Sequence, residues 1–326
     1  MGLLPLLLVT LGLSTAVGAA DAIRQVVADW PRLPEGKAFG VCSGVGVDSQ
    51  NRVYVFHRNE RVWKTPFSAD PIEGPTVSVI DGTTGALLGE WGAGAFVMPH
   101  GLTVDSEGHV WLTDVGLHQV FKFTHDGQLL LTLGTRGVPG DDAAHFNLPT
   151  DVAVLTDGSF YVSDGYKNTR VVKFGATGQY QREWGGKGSK PGEFILPHGI
   201  AVASNACVYV CDRTNSRVQV FDAEGRFLNQ WKGPHIGRPY GIEASHDGGI
   251  FIIDGGEPSL RKTDRGKAVE LDTEGRVINT FGSYGSQAGQ FILGHDIAVG
   301  PDGAVYVADA TGQRVQKFIK RTAPTK

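Results

Sequence analysis

Short stretches in which apolar and polar positions alternate, each closed by a turn rich in Asp, Gly or Asn, follow one another along the chain. A period of two, carried by β-branched and aromatic residues, is the signature of β-strands rather than helices. The pattern recurs six times, as SGVGVDSQNRVYVFHR, PHGLTVDSEGHVWLTD, PTDVAVLTDGSFYVSD, PHGIAVASNACVYVCD, PYGIEASHDGGIFIID and GHDIAVGPDGAVYVAD. Most copies continue into a third strand (HQVFKFT, TRVVKFG, SRVQVFD) and a fourth (LLLTLG, YQREWG, FLNQWK). Four strands with a turn-rich link make one propeller blade, so six copies predict an all-β, six-bladed β-propeller with four-stranded blades. The last copy stops after RVQKFIK. The early segment IRQVVADW is therefore expected to supply its missing strand and close the ring.

The 326 residues would allow one large or two ordinary domains, and the unbroken repeat decides for one, expected over 21–326. Residues 1–20, MGLLPLLLVTLGLSTAVGAA, place an apolar run ahead of small residues and read as a secretory signal peptide, or as an anchor if uncleaved. The run is short for a bilayer span and no second one follows, so a secreted or extracytoplasmic protein without a stable membrane span is expected. It is expected to act as a monomer. Lysines and arginines are scattered among slightly more acids, for a net charge of -4, which leaves no basic face for nucleic acid. Cys207 and Cys211, four apart on a strand and so about 13 Å from each other, cannot bridge. Either could pair with Cys42, leaving one thiol free.

The six copies align almost without gaps, and residues that every blade repeats can be set apart from those that break the repeat. Asp114, Asp164, Asp212, Asp254 and Asp309 share one column and are expected to bond backbone at the turn after the second strand. The column opening each blade reads Ser43, His100, Thr150, His198, Tyr240, His295. Alternate blades of a six-fold ring stand about 120° apart around the channel, so His100, His198 and His295 should converge on the axis as an open three-nitrogen site for Zn²⁺ or a similar cation. Thr150 and Tyr240 show that the turn itself does not demand histidine. The next column is Gly44, Gly101, Asp151, Gly199, Gly241, Asp296. Its two carboxylates suit either a hard cation such as calcium or a backbone turn. The column after the repeated aspartates carries Arg58 and Arg213 among small or apolar residues, with Tyr166 one place further on in blade three. Placed near the channel mouth, these three would form an anion pocket, since a guanidinium stays charged and grips a carboxylate bidentately. The remaining histidines, apart from His57, break no shared column.

At these residues the chain resembles the peptidyl-α-hydroxyglycine α-amidating lyases, a family of NHL-repeat propellers. The resemblance runs from about Ser43 to Phe318 through VYVFHRNERVW, MPHGLTVD, WLTDVGLHQVFKF, HFNLPTDVAV, YVSDGYKNTRVVKF, PGEFILPHGIAV, VCDRTNSRVQVF and GHDIAVGPDGAVYVADA. It implies zinc on His100, His198 and His295, Tyr166 as the proton-abstracting group, and Arg58 and Arg213 around a substrate carboxylate. It also implies a structural calcium on Asp296 and the carbonyls of Val45 and Leu102. The implied substrate is a peptide ending in α-hydroxyglycine, whose C–N bond breaks to give a peptide amide and glyoxylate. The chain departs from the family pattern where two disulfides would lie, at Asn147 with Lys167 and Tyr209 with Val220. It departs again at Leu293–Gly294 and in the blade-five insertion GGEPSLRKTDRGKAVEL. Two other readings stand beside this one. A non-catalytic NHL propeller binding a protein or peptide needs only the repeat. A propeller metalloenzyme acting on a lactone or another small carbinolamide would share an axial ion.

Overall fold

The computed structural model describes residues 23–256 and 265–321. The segment read as a signal peptide, and the middle of the blade-five insertion, lie outside the described residues. The alternating stretches form six four-stranded antiparallel sheets and one two-stranded ribbon, the six-bladed propeller expected from the repeat. Blade two is typical, with Pro99–Val104 innermost, then Val110–Asp114, Gln119–Phe123 and Leu129–Leu133. Blade six joins Gly294–Val299, Val305–Asp309 and Arg314–Arg321 to Ile23–Val26, with Val26 opposite Phe318. The start of the described chain thus closes the ring, as expected from IRQVVADW. Among the described residues no helix is long and apolar enough to cross a membrane.

Burial falls from the axis outward. The second strand of blade two is buried throughout, whereas its fourth strand is largely exposed. Core is therefore made between blades, as where Trp111 of blade two packs with Phe160, Val162 and Val172 of blade three. The fourth strands of blades one, three and four carry Trp91, Trp184 and Trp231 at their last or next-to-last position. Each indole lies under a glycine of the next blade's turn, Gly127, Gly225 or Gly275, where an added β-carbon would come within 2.8 Å of the ring or closer. All three glycines also have positive φ, so these turns accept no other residue without strain.

The aspartate column does bond backbone, with a wider reach than the turn alone. Asp114 accepts amides from Val97 and Met98 in the link entering the blade, and from Leu117 in the turn leaving the second strand. Asp309 does the same with Ile292, Leu293 and Gly312. Cys42, Cys207 and Cys211 are all free thiols, so the pairing left open by the sequence is not made. The positions that hold disulfides in the family pattern are neighbours here without cysteines: the Lys167 amide donates to the Asn147 carbonyl, and Tyr209 faces Val220 across two strands.

Candidate metal centre

Every inner strand breaks register with its neighbour at one place, where the residue opening the blade is extra. In blade one Cys42 faces His57 and Gly44 faces Phe56, which leaves Ser43 unpaired, and the other five blades shift at the equivalent position. A bulge re-aims the side chain it carries. In blades two, four and six that side chain is histidine. His100, His198 and His295 are buried, and one ring nitrogen of each lies within 4.8 Å of those of the other two.

Their hydrogen bonds fix the tautomer. Nδ1 of His100 lies 2.7 Å from the Thr150 carbonyl, that of His198 2.9 Å from the Tyr240 carbonyl, and that of His295 2.7 Å from the Ser43 carbonyl. A carbonyl only accepts, so each Nδ1 carries the hydrogen and each Nε2 keeps its lone pair. The three non-histidine members of the column are thus the backbone acceptors for the three histidines, each reaching from the next blade. Burial holds His100 and His198 well below the ordinary histidine range, helped by neighbouring positive charge. Burial and Arg58 bring His295 down to about 3. Three neutral imidazoles with unprotonated Nε2 atoms are the donor set of an open site for a borderline divalent cation, and the cluster can hold one.

The aspartates of the next column lie one layer further along the axis. Asp296 Oδ2 accepts the Val45 amide of blade one at 2.9 Å, and Asp151 Oδ2 accepts the Ile200 amide of blade four at 3.1 Å. Opposite blades thus use the same device to tie an inner strand to the next. The glycines of this column mark close backbone approach. A β-carbon at Gly101 would stand 2.4 Å from the Thr150 carbonyl oxygen. Burial pushes Asp296 up to about 7, and burial with the Asp296 charge raises Asp151 well above the carboxylate range. Among the described residues no ion pair reaches either group. A void of about 10 Å³ is lined by both layers. Val45 and Leu102 are buried on adjacent inner strands.

On the other side of the histidines the structure brings Arg58, Tyr166 and Arg213 together. The Tyr166 hydroxyl donates to His100 Nε2 at 2.9 Å and stands 3.2 Å from His198 Nε2. Arg213 Nη1 donates to that hydroxyl at 3.4 Å, and its guanidinium lies 5.3 Å from the Tyr166 ring centroid and 4.5 Å from that of Tyr240. Its buried Nε has no hydrogen-bond partner. Arg58 is buried, donates through Nε to the Pro99 carbonyl at 2.7 Å, and is pushed down to about 10 by burial, so it remains charged at neutral pH. These groups and His295 line one open cavity of about 510 Å³, which also meets Leu293.

Two participants escaped the sequence reading. Tyr240, taken only as proof that the turn does not demand histidine, packs its ring on His198 and His295 and under Arg213. Trp63 packs its ring against both Arg58 and Tyr166. Their signals were Tyr240's place in the histidine column and Trp63's place in VYVFHRNERVW.

The fold and site define a class: a propeller whose axis carries three neutral histidines that could hold a metal ion, flanked by a tyrosine and two arginines. Residues 149–288 match the family model of a 6-bladed beta-propeller, and 96–123 and 295–318 match the NHL repeat. Over 321 residues the chain is 34% identical to peptidyl-alpha-hydroxyglycine alpha-amidating lyase 2 of Drosophila melanogaster, covering 90% of this chain and 75% of that protein. It belongs to the peptidyl-α-hydroxyglycine α-amidating lyase family. It is also 36% identical over 317 residues to peptidyl-glycine alpha-amidating monooxygenase B of Xenopus laevis, covering 91% of this chain but 36% of that longer protein. The chain therefore spans about a third of that relative's length. Among solved structures, a gluconolactonase from Xanthomonas campestris shares the fold with a TM-score of 0.60 at 13% identity, covering 87% of this chain and 88% of that one.

Proposed function

We propose that the chain cleaves the C–N bond of peptides ending in α-hydroxyglycine, releasing a C-terminal peptide amide and glyoxylate. The observation that carries this reading is the Tyr166 hydroxyl, which sits against two of the three histidine Nε2 atoms with a guanidinium beside it. Family membership supports the same substrate class. Arg58 and Arg213 bind the carboxylate of the terminal unit, and the unpartnered Nε of Arg213 leaves bonding capacity for it. With the carboxylate held, the carbinol hydroxyl lies toward Tyr166. Acting as its phenolate, Tyr166 takes the hydroxyl proton, the O–H electron pair becomes the carbonyl bond of glyoxylate, the C–N pair leaves on the amide nitrogen, and Tyr166 passes the proton it has taken to that nitrogen. His100, His198 and His295 are the zinc ligands in this reading, and bound zinc supplies Lewis acidity that lowers the pKa of a hydroxyl in the site. Asp296, with the carbonyls of Val45 and Leu102, would hold a structural calcium. Two buried carboxylates with raised pKa values and no ion-pair partner support a cation there. The apolar run at the start supports a secreted enzyme, which we take to be a single-domain monomer over 21–326.

Purified protein should release glyoxylate from a short α-hydroxyglycine-terminated peptide, lose that activity on chelation and regain it with zinc. Tyr166→Phe should lower kcat by about a hundredfold or more while changing KM little. Zinc-loaded, folded protein that releases no glyoxylate would refute the reading, and near-normal turnover by Tyr166→Phe would remove Tyr166 from the mechanism.

A further inference from the structure

The cavity beside the histidines is far larger than a terminal hydroxyglycine needs. At about 510 Å³ it falls in the range of pockets that enclose whole drug-sized ligands. Among the described residues its ionisable lining is Arg58, Tyr166, Arg213, Tyr240 and His295, with no carboxylate. The rest is apolar: Val41, Val62, Trp63, Leu293 and Ala310, with Thr311 and Gln313 the polar exceptions. Two of the apolar side chains are unusually exposed for their kind, Trp63 at 40% and Val62 at 63%. Trp63 is nevertheless held in place. Its ring lies 4.9 Å from that of Tyr166, 4.9 Å from Phe67 in an edge contact, and 5.4 Å from the Arg58 guanidinium. An indole fixed on three sides and left open on a fourth, beside the reacting groups, is a preformed apolar surface.

We propose that this surface is the subsite for the residue preceding the hydroxyglycine, and that it selects an apolar side chain, aromatic or branched aliphatic, over a cationic one. The inference rests on the amidating reading, which anchors the substrate's carboxylate at the two arginines. With that end fixed, the acyl portion of the substrate is what remains to occupy the cavity, and its first side chain meets Trp63 and Val62. An apolar side chain gains by leaving water on this wall. A lysine or arginine would be desolvated among Arg58, Arg213 and apolar groups, with no carboxylate among the described lining residues to pair it.

The test is kcat/KM, from glyoxylate release by the zinc-loaded protein, for N-acetylated dipeptides in which Phe, Leu, Gly or Lys precedes the hydroxyglycine. Phe and Leu should exceed Gly by about tenfold or more, with Lys at or below Gly. In Trp63→Ala the Phe-to-Gly ratio should fall to within about threefold of unity, and Val62→Glu should raise Lys relative to Phe by several-fold. Equal kcat/KM across the series in the unmutated protein, or a Phe-to-Gly ratio unmoved by Trp63→Ala, overturns the subsite and leaves the amidating reading standing. Glyoxylate from none of the four overturns the amidating reading and the subsite with it.

Discussion

Tyr240 fills a position in the histidine column where a side chain touches both the neighbouring histidines and Arg213. Its ring lies 4.5 Å from the Arg213 guanidinium, and its hydroxyl has no hydrogen-bond partner among the described residues. Its contribution is therefore the aromatic face. Tyr240→Phe should keep near-normal kinetics, while Tyr240→Leu should raise KM about tenfold through loss of the cation–π contact, with kcat affected less; steady-state kinetics of the two variants separates these outcomes. His57 stands where the other blades carry the buried aspartate. Burial brings it down to about 4, and its Nδ1 has no partner. A base whose folded pKa is depressed binds fewer protons folded than unfolded, so its contribution falls as pH drops from the unfolded value near 6.5 toward 4. Through this residue the protein should lose about 3 kcal/mol of stability across that window. Denaturation of His57→Gln at a series of pH values should show a correspondingly shallower slope. At this scale the three histidines were legible because they break a strict repeat. Trp63 was not, because its role comes from a stacking arrangement that no column records.

Strand order and blade number were legible because each element agrees with its neighbours in period, turn chemistry and length. The bulge was not, since an extra residue in one strand changes pairing without changing the alternation. Nor did the sequence reveal why glycine recurs beside the histidines, which only the close approach of neighbouring inner strands explains. The repeated aspartate was read correctly as structural, and blade four shows how much it carries. Asp212 accepts amides from Ile195 and Leu196 and pairs with Arg217 at 2.8 Å, with both side chains fully buried. Arg217 in turn donates to the carbonyls of Ser189 and Lys190, fastening the link that enters the blade. Arg217→Met leaves a buried carboxylate without its partner and should cost about 3–5 kcal/mol. Urea denaturation should show a lower midpoint with unchanged m, and a midpoint within error of the parent's would mean that the pair is not the fastening.

A propeller has little connectivity across its axis, because each blade packs mainly on the two beside it, and closure here depends on four residues, Ile23–Val26, paired with the last strand. A cation on the histidine cluster would supply what the packing lacks. The cluster's three histidines come from blades two, four and six, and each is hydrogen-bonded through Nδ1 to the backbone of blade three, five or one. A cation held by the three Nε2 atoms would therefore engage all six blades at once, three through side chains and three through carbonyls. Binding to the folded ring alone stabilises it by an amount that grows with the logarithm of metal excess, about 4 kcal/mol at a thousandfold over Kd. Chelation should lower the Tm by several degrees, zinc should restore it, and His198→Ala should start at the lower value and gain nothing from zinc. Because the Tm is read without substrate, the result does not depend on which peptide the site accepts. A Tm indifferent to chelation and to zinc would separate the cluster from the stability of the ring and leave closure to the terminal strand and the packing of blade six on blade one.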